Sequence, residues 1–126
     1  MPNQLSSSIR VDNLTRGVPV VVSGRVASTF WSRFRGLMGV PALAPGAGLV
    51  IEPCSSIHTH FMRFPIDVLY VDREHMITGI DRNLRPWWIG RFYKKVQYVV
   101  ELPAGGAAGC QVGDRLQISA QQGPQI

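Results

Sequence analysis

From Val18 onward the chain is cut into short apolar runs by turns rich in glycine and proline. VPVVVSGRV (Val18–Val26), GLVIEP (Gly48–Pro53), SSIHTHFM (Ser55–Met62), IDVLYV (Ile66–Val71), MITGI (Met76–Ile80), VQYVVEL (Val96–Leu102) and RLQIS (Arg115–Ser119) each fit a strand. Asp72–Arg73–Glu74–His75 lies between two of them and predicts a hairpin turn. Strands this short and closely spaced bury their apolar faces by stacking as a sandwich or closing as a barrel. One segment changes period. Phe30, Trp31, Phe34, Leu37 and Met38 share one helical face, which predicts a helix over Ser28 to Met38. Ser28 or Thr29 would cap its start, and Gly39 with Pro41 would end it. The expected organisation is a flexible N-terminus (1–13), a single β-rich domain (14–119) and a disordered tail (120–126).

With 126 residues, 45% of them hydrophobic, the chain can form a core without staples. No apolar stretch is long enough to span a bilayer, and the first residues lack the apolar region of a signal peptide. A cytoplasmic protein is therefore expected. Cys54 and Cys110 are too few for a disulfide framework and are expected to be reduced thiols. The net charge of +5 admits nucleic acid, anionic lipid or an acidic partner.

Four groups of residues could carry chemistry. On a strand, His58 and His60 would share a face with Ser56 and could grip a metal. Asp67, Glu52 or Glu101 could complete the set, but none stands at a diagnostic spacing, so no metal is expected. Asp67 follows Pro65 at a strand start. There it either caps a neighbouring loop or orients His58, His60 or a ligand. The segment RNLRPWWIGRFYKK mixes Arg82, Arg85, Arg91, Lys94 and Lys95 with Trp87, Trp88, Phe92 and Tyr93. Such a mixture suits single-stranded nucleic acid or lipid. The competing expectation is that at least one tryptophan folds inward and plugs the barrel end, leaving Arg82, Arg85 and Arg91 as weak anion attractors. The run Gly105–Gly109 lacks a P-loop lysine and is expected to be a plain connection.

FRGLMG, GLVIEP, SIHTHFMRFPIDVLYVD, VVELPAG and a Gly-Asp pair before the last strand occur in this order. This series resembles the uncharacterised family called domain of unknown function 192, over roughly Val18 to Ile118. In many members the stretch before Pro-x-Asp reads Trp-Met-Lys-Asn-Thr. The present chain is similar to a subgroup with an Ile-His-Thr signature. His60 falls where others carry lysine, which argues against a family-wide two-histidine metal site. The resemblance implies a mostly β fold, a compact β-sandwich or jelly-roll-like barrel with one short N-terminal helix. It implies no reaction.

The function expected is a non-enzymatic small-ligand-binding or accessory module. Its pocket would lie near the strands bearing His58 and Asp67, with Arg35, His58, His60 and Asp67 as ligand-binding residues and no cofactor. The alternatives are a small metal- or carboxylate-assisted enzyme using His58, His60 and Asp67, and nucleic-acid binding through residues 82–95. An unidentified small molecule is the expected partner and nucleic acid is not. The sequence leaves the oligomeric state open.

Overall fold

A computed structural model describes residues 8–121. Seven strands and one helix occur in order: β1 (Ile9–Asn13), β2 (Val18–Ala27), α1 (Phe30–Arg35), β3 (Ala47–Ile51), β4 (Ile66–Val71), β5 (Ile77–Leu84), β6 (Tyr98–Pro103) and β7 (Leu116–Ala120). The strands form one sheet in the order β5-β4-β6-β3-β2-β1-β7, curled into a half-barrel. The mostly β fold with one short helix is as expected, and of the two forms considered it is the barrel-like one. Every pairing is antiparallel except β2 with β3. A parallel pair needs a crossover, and the segment carrying α1 supplies it.

Side-chain alternation sorts the central strands onto two cores. Leu69 and Val71 of β4, Val50 of β3, and Tyr98, Val100 and Leu102 of β6 pack with Val11, Val21 and Leu116, which the curling sheet brings over them. Ile66, Val68 and Tyr70, Leu49 and Ile51, and Val99 point the other way and pack under Leu37, Ile57 and Met62. All six residues of β4 are therefore buried. This explains why IDVLYV is apolar almost throughout instead of alternating.

Three segments differ from expectation. Residues 1–7 and 122–126 lie outside the described part, but Ile9–Asn13 is a strand within the sheet and not a flexible arm. Ile9, Val11 and Asn13 point inward, while Arg10 and Asp12 pair outside. The helix stops at Arg35, because Gly36 adopts φ 48° as its C-cap. A capping box of Thr29 and Ser32 closes its start. Ser55–Met62 is not a strand: only His58 forms a bridge, to Ile89. Phe61 sits at φ 65°, which no strand residue adopts.

Three buried aspartates tie the connections to the sheet. Asp67 accepts backbone N–H bonds from Asn83 at 2.8 Å and from Gly105 and Ala107 at 3.0 Å each. It thus caps both the end of β5 and the glycine-rich turn after β6. Asp81 accepts from the hydroxyls of Tyr70 and Tyr93 and from the Arg91 N–H. Asp114 takes bonds from Asn13, Arg16 and Gln111, holding the approach to β7. Burial acts to raise its carboxyl, but the bonds from Arg16, Asn13 and Gln111 outweigh that and hold it below the usual range. An amide in place of Asp67 offers one acceptor oxygen to three donors and loses the charge. Asp67→Asn should therefore cost about 2–3 kcal/mol of stability in urea unfolding. An unchanged midpoint would contradict the role given to Asp67.

Candidate functional site

The loops that cover the second core leave a cleft of about 530 Å³. It lies between the α1–β3 crossover on one side and residues 53–58 on the other, with β3 and β6 beneath. Leu37, Ile51, Ile57 and Met62 form apolar walls, and Arg33, Phe34, Arg35, Cys54 and His58 add polar and aromatic groups. This size is ordinary for a small-molecule site.

Glu101 forms the floor. It sits on β6 between Val100 and Leu102, paired across the sheet with Leu49 and Val68. Strand parity turns it, like Val99, toward the cleft side. It is buried, and among the buried side-chain polar atoms of the described residues its Oε1 has no hydrogen-bond partner. Burial pushes its carboxyl from 4.5 up to about 8. The group is therefore predominantly a neutral acid at neutral pH, a donor as well as an acceptor. Gly36 lies over it: a Cβ there would stand 3.9 Å from Oε1 and 3.7 Å from Ile51 Cδ1. The glycine that ends α1 thus also keeps space open above the carboxyl.

Two other groups of the cleft are anchored. Arg33 donates to the Pro53 carbonyl at 3.1 Å, joining the helix to the opposite wall. The Cys54 thiol donates to the Ser56 carbonyl at 3.1 Å, and burial raises its pKa, so it is a poor nucleophile. Burial, aided by the neighbouring charge of His60, lowers the pKa of His58. The segment bearing both histidines is held by Thr59, which is buried and was not singled out from the sequence. Its backbone donates to the Trp88 carbonyl, its hydroxyl to the Arg85 carbonyl at 2.6 Å, and the Trp88 N–H donates back to the hydroxyl at 2.8 Å. The clue was the threonine itself, flanked by histidines in a stretch whose inward residues otherwise include Ile57 and Met62.

Of the expected ligand-binding residues, Arg35 and His58 line the cleft. His60 stands beside His58, ring centroids 5.0 Å apart, and is not part of the lining. Asp67 is turned away into the loop cap described above. It cannot serve with the histidines, and among the described residues no three His, Cys, Asp or Glu side chains converge as metal ligands. Arg82 is committed to the carbonyls of Ala107 and Cys110, each at 2.8 Å. Arg85 lies 4.5 Å over the Trp88 ring, and Arg82, Arg85 and Arg91 line a second depression together with Asp81. The inward plug expected of Trp87 or Trp88 is absent, since they are 56% and 52% exposed. Ile57 and the half-buried Tyr93 pack against the core instead, and Tyr93 lies over Gly79, where a side chain would collide with its ring.

The family model for DUF192, described as "Uncharacterized ACR", matches residues 12–118. The chain belongs to the DUF192 family. Like DUF192 itself, its curated relatives are uncharacterised UPF0127 proteins. One from Pyrococcus furiosus is 34% identical over 113 residues, covering 83% of this chain and 94% of the relative. Another, from Thermococcus sibiricus, is 29% identical over 119 residues, covering 87% and 75%. Two solved structures share the fold. A Novosphingobium aromaticivorans protein of unknown function has a TM-score of 0.76 at 20% identity, covering 87% of this chain and 83% of its own. A Sinorhizobium meliloti protein has a TM-score of 0.75 at 23% identity, with coverage of 93% and 97%. At such identities the likeness establishes the shared fold and nothing about ligands.

A carboxyl raised by burial makes stability depend on pH in a defined direction. Above about pH 4.5 the unfolded chain releases the Glu101 proton while the folded protein keeps it up to about pH 8. Stability should therefore fall across that window, by at most ~1.4 kcal/mol per pH unit from this group. Urea unfolding of Glu101→Gln between pH 5 and pH 8 should show a shallower decline than the native protein. Parallel profiles would show that Glu101 is not held protonated.

Proposed function

We propose that this DUF192 chain is a non-catalytic small-ligand-binding module and that the cleft above Glu101 is its binding site. One observation carries the reading: a buried carboxyl without a partner at the floor of an open cleft, in a protein that satisfies its three buried aspartates three bonds at a time. An unpaired buried polar group costs roughly 1–3 kcal/mol. A ligand that pairs with Glu101 recovers that cost as affinity.

The lining describes the ligand. A hydrogen-bonding head, such as an amide, hydroxyl or amine, meets Glu101. An apolar body lies between Leu37, Ile51, Ile57 and Met62. Arg35 and His58 meet a polar or anionic tail. The anchored Cys54 thiol and the engagement of Asp67 with the turn after β6 take the thiol and that carboxylate out of any pairing with the histidines, which favours binding over catalysis.

Protein-observed NMR, recording side-chain methyl signals during titration with a library of small amides, alcohols and amines, tests this. Binders should shift the signals of Leu37, Ile51, Ile57 and Met62. Glu101→Leu should weaken them by about tenfold or more, yet unfold no more easily than the native protein, because it replaces an unpaired polar group with an apolar one. Shifts confined to other faces, or binding indifferent to Glu101→Leu, would refute the assignment.

A further inference from the structure

The cleft opens beside a face crowded with exposed apolar side chains. Trp31, Phe34, Phe61, Trp87, Trp88 and Ile89 each leave half or more of their surface in solvent. The rings are contiguous. Trp31 stacks on Phe34 at 5.8 Å, Phe34 meets His58 at 6.3 Å, and His58 meets His60 at 5.0 Å. His60 meets Trp87 at 5.6 Å, and Trp87 meets Phe61 at 4.7 Å. Ile89 joins the row through its bridge to His58. Phe61 and Trp87 hold φ values of 65° and 62°, a conformation bulky residues rarely adopt. Thr59 locks the two loops that carry them. A contiguous apolar patch of this kind on a folded domain marks a docking surface.

The segments that carry these rings hold charge of one sign. Arg33, Arg35, Arg63 and Arg85 are interspersed with the rings, and residues 29–38, 54–63 and 85–95 contain no Asp or Glu. Half the protein's acids are buried: Asp67, Asp81, Glu101 and Asp114. Asp12 is paired with Arg10 on β1.

We propose that this face docks on an anionic phospholipid surface, with the indole and phenyl rings at the headgroup boundary and the arginines on the phosphates. Arginine stems lie along apolar surface while their heads reach charge, and the Arg85 guanidinium already rests on the Trp88 ring. Ring geometry favours lipid over single-stranded nucleic acid. Successive bases stack on faces that are nearly parallel, whereas neighbouring rings here tilt by 59°, 47°, 86° and 57°, with only Trp31 and Phe34 near parallel at 27°. Arg85 covers a face of Trp88, and Ile89 offers no ring. A lipid interface accepts rings in any orientation. The face shares Phe34, Arg35 and His58 with the lining of the cleft but does not need the cleft to be occupied.

The test is co-sedimentation of the full chain with vesicles of phosphatidylcholine containing phosphatidylglycerol, against phosphatidylcholine alone, with tryptophan emission recorded. Anionic vesicles should bind the protein and shift its emission to the blue, and raised salt should weaken the binding. Joint replacement of Trp31→Ala and Trp87→Ala, or of Arg63→Glu and Arg85→Glu, should weaken it by about tenfold or more. None of the four side chains is part of a buried core, so thermal unfolding should be little changed and will report any misfolded variant. Failure to bind anionic vesicles, equal binding to neutral ones, or binding that survives the paired tryptophan replacement would overturn the proposal. Binding to oligothymidylate with quenched emission and no vesicle association would instead assign the face to nucleic acid.

Discussion

Three buried aspartates, each accepting three hydrogen bonds, hold this fold's irregular parts to its sheet. The seven strands supply two apolar cores, and the chain between them, rich in glycine and proline, adds only scattered buried side chains such as Leu37, Ile57, Met62 and Ala107. Asp67 binds the turn after β6 and the end of β5 in one carboxylate. Asp81 draws the Arg91–Tyr93 segment onto β5, and Asp114 seats the approach to β7. Charge-assisted bonds to backbone N–H groups are about twice as strong as neutral ones. They suit loops whose small residues pack weakly.

Against that pattern Glu101 stands apart. It occupies a central strand, faces the same side as Val99, and receives none of the bonds the aspartates receive. A branched aliphatic residue would pack at this position without cost. The glycine that ends α1 leaves room above the carboxyl, and the Thr59-locked loop closes one wall. Helix end, loop lock and strand parity thus converge on one cleft. The same loop lock turns Trp87 and Phe61 outward beside the cleft mouth. One set of hydrogen bonds therefore shapes both the candidate pocket and the candidate docking face.

The strands of the centre are legible in the sequence because apolar runs bounded by turn residues leave little else to form. GLVIEP, IDVLYV and VQYVVEL all contribute to the sheet. The ends and the loops are harder. IRVDN carries the alternation of β1, but its outward residues are charged and it comes after a polar start. SIHTHFM also alternates, yet Thr59 is inward to bond carbonyls and not to fill a core. Sequence patterning does not separate these two uses of burial. The apolar period through Met38 overstates the helix, because Gly36 at φ 48° ends it before Leu37 and Met38 can join. Hydrophobicity alone would put a tryptophan inside, but Ile57, Met62 and Tyr93 join the core while Trp87 and Trp88 stay exposed. Half of the candidate site is visible in the sequence, in Arg35 and His58. Glu101 stands out there only as a candidate third metal ligand. Its place in a buried strand is readable from the run VVELP, but its lack of partners is not, since that depends on what the loops above leave uncovered.

The central claim is that Glu101 is a buried, unpartnered and largely protonated acid at neutral pH. A carbon-13 NMR titration of the Glu101 side-chain carboxyl in the free protein tests it most directly, with Glu101→Gln identifying the signal. The account predicts a midpoint near the raised value of about 8. A midpoint in the ordinary glutamate range, about 4–5, would mean that water or a protein donor already satisfies the carboxyl and would remove the basis of the proposed site.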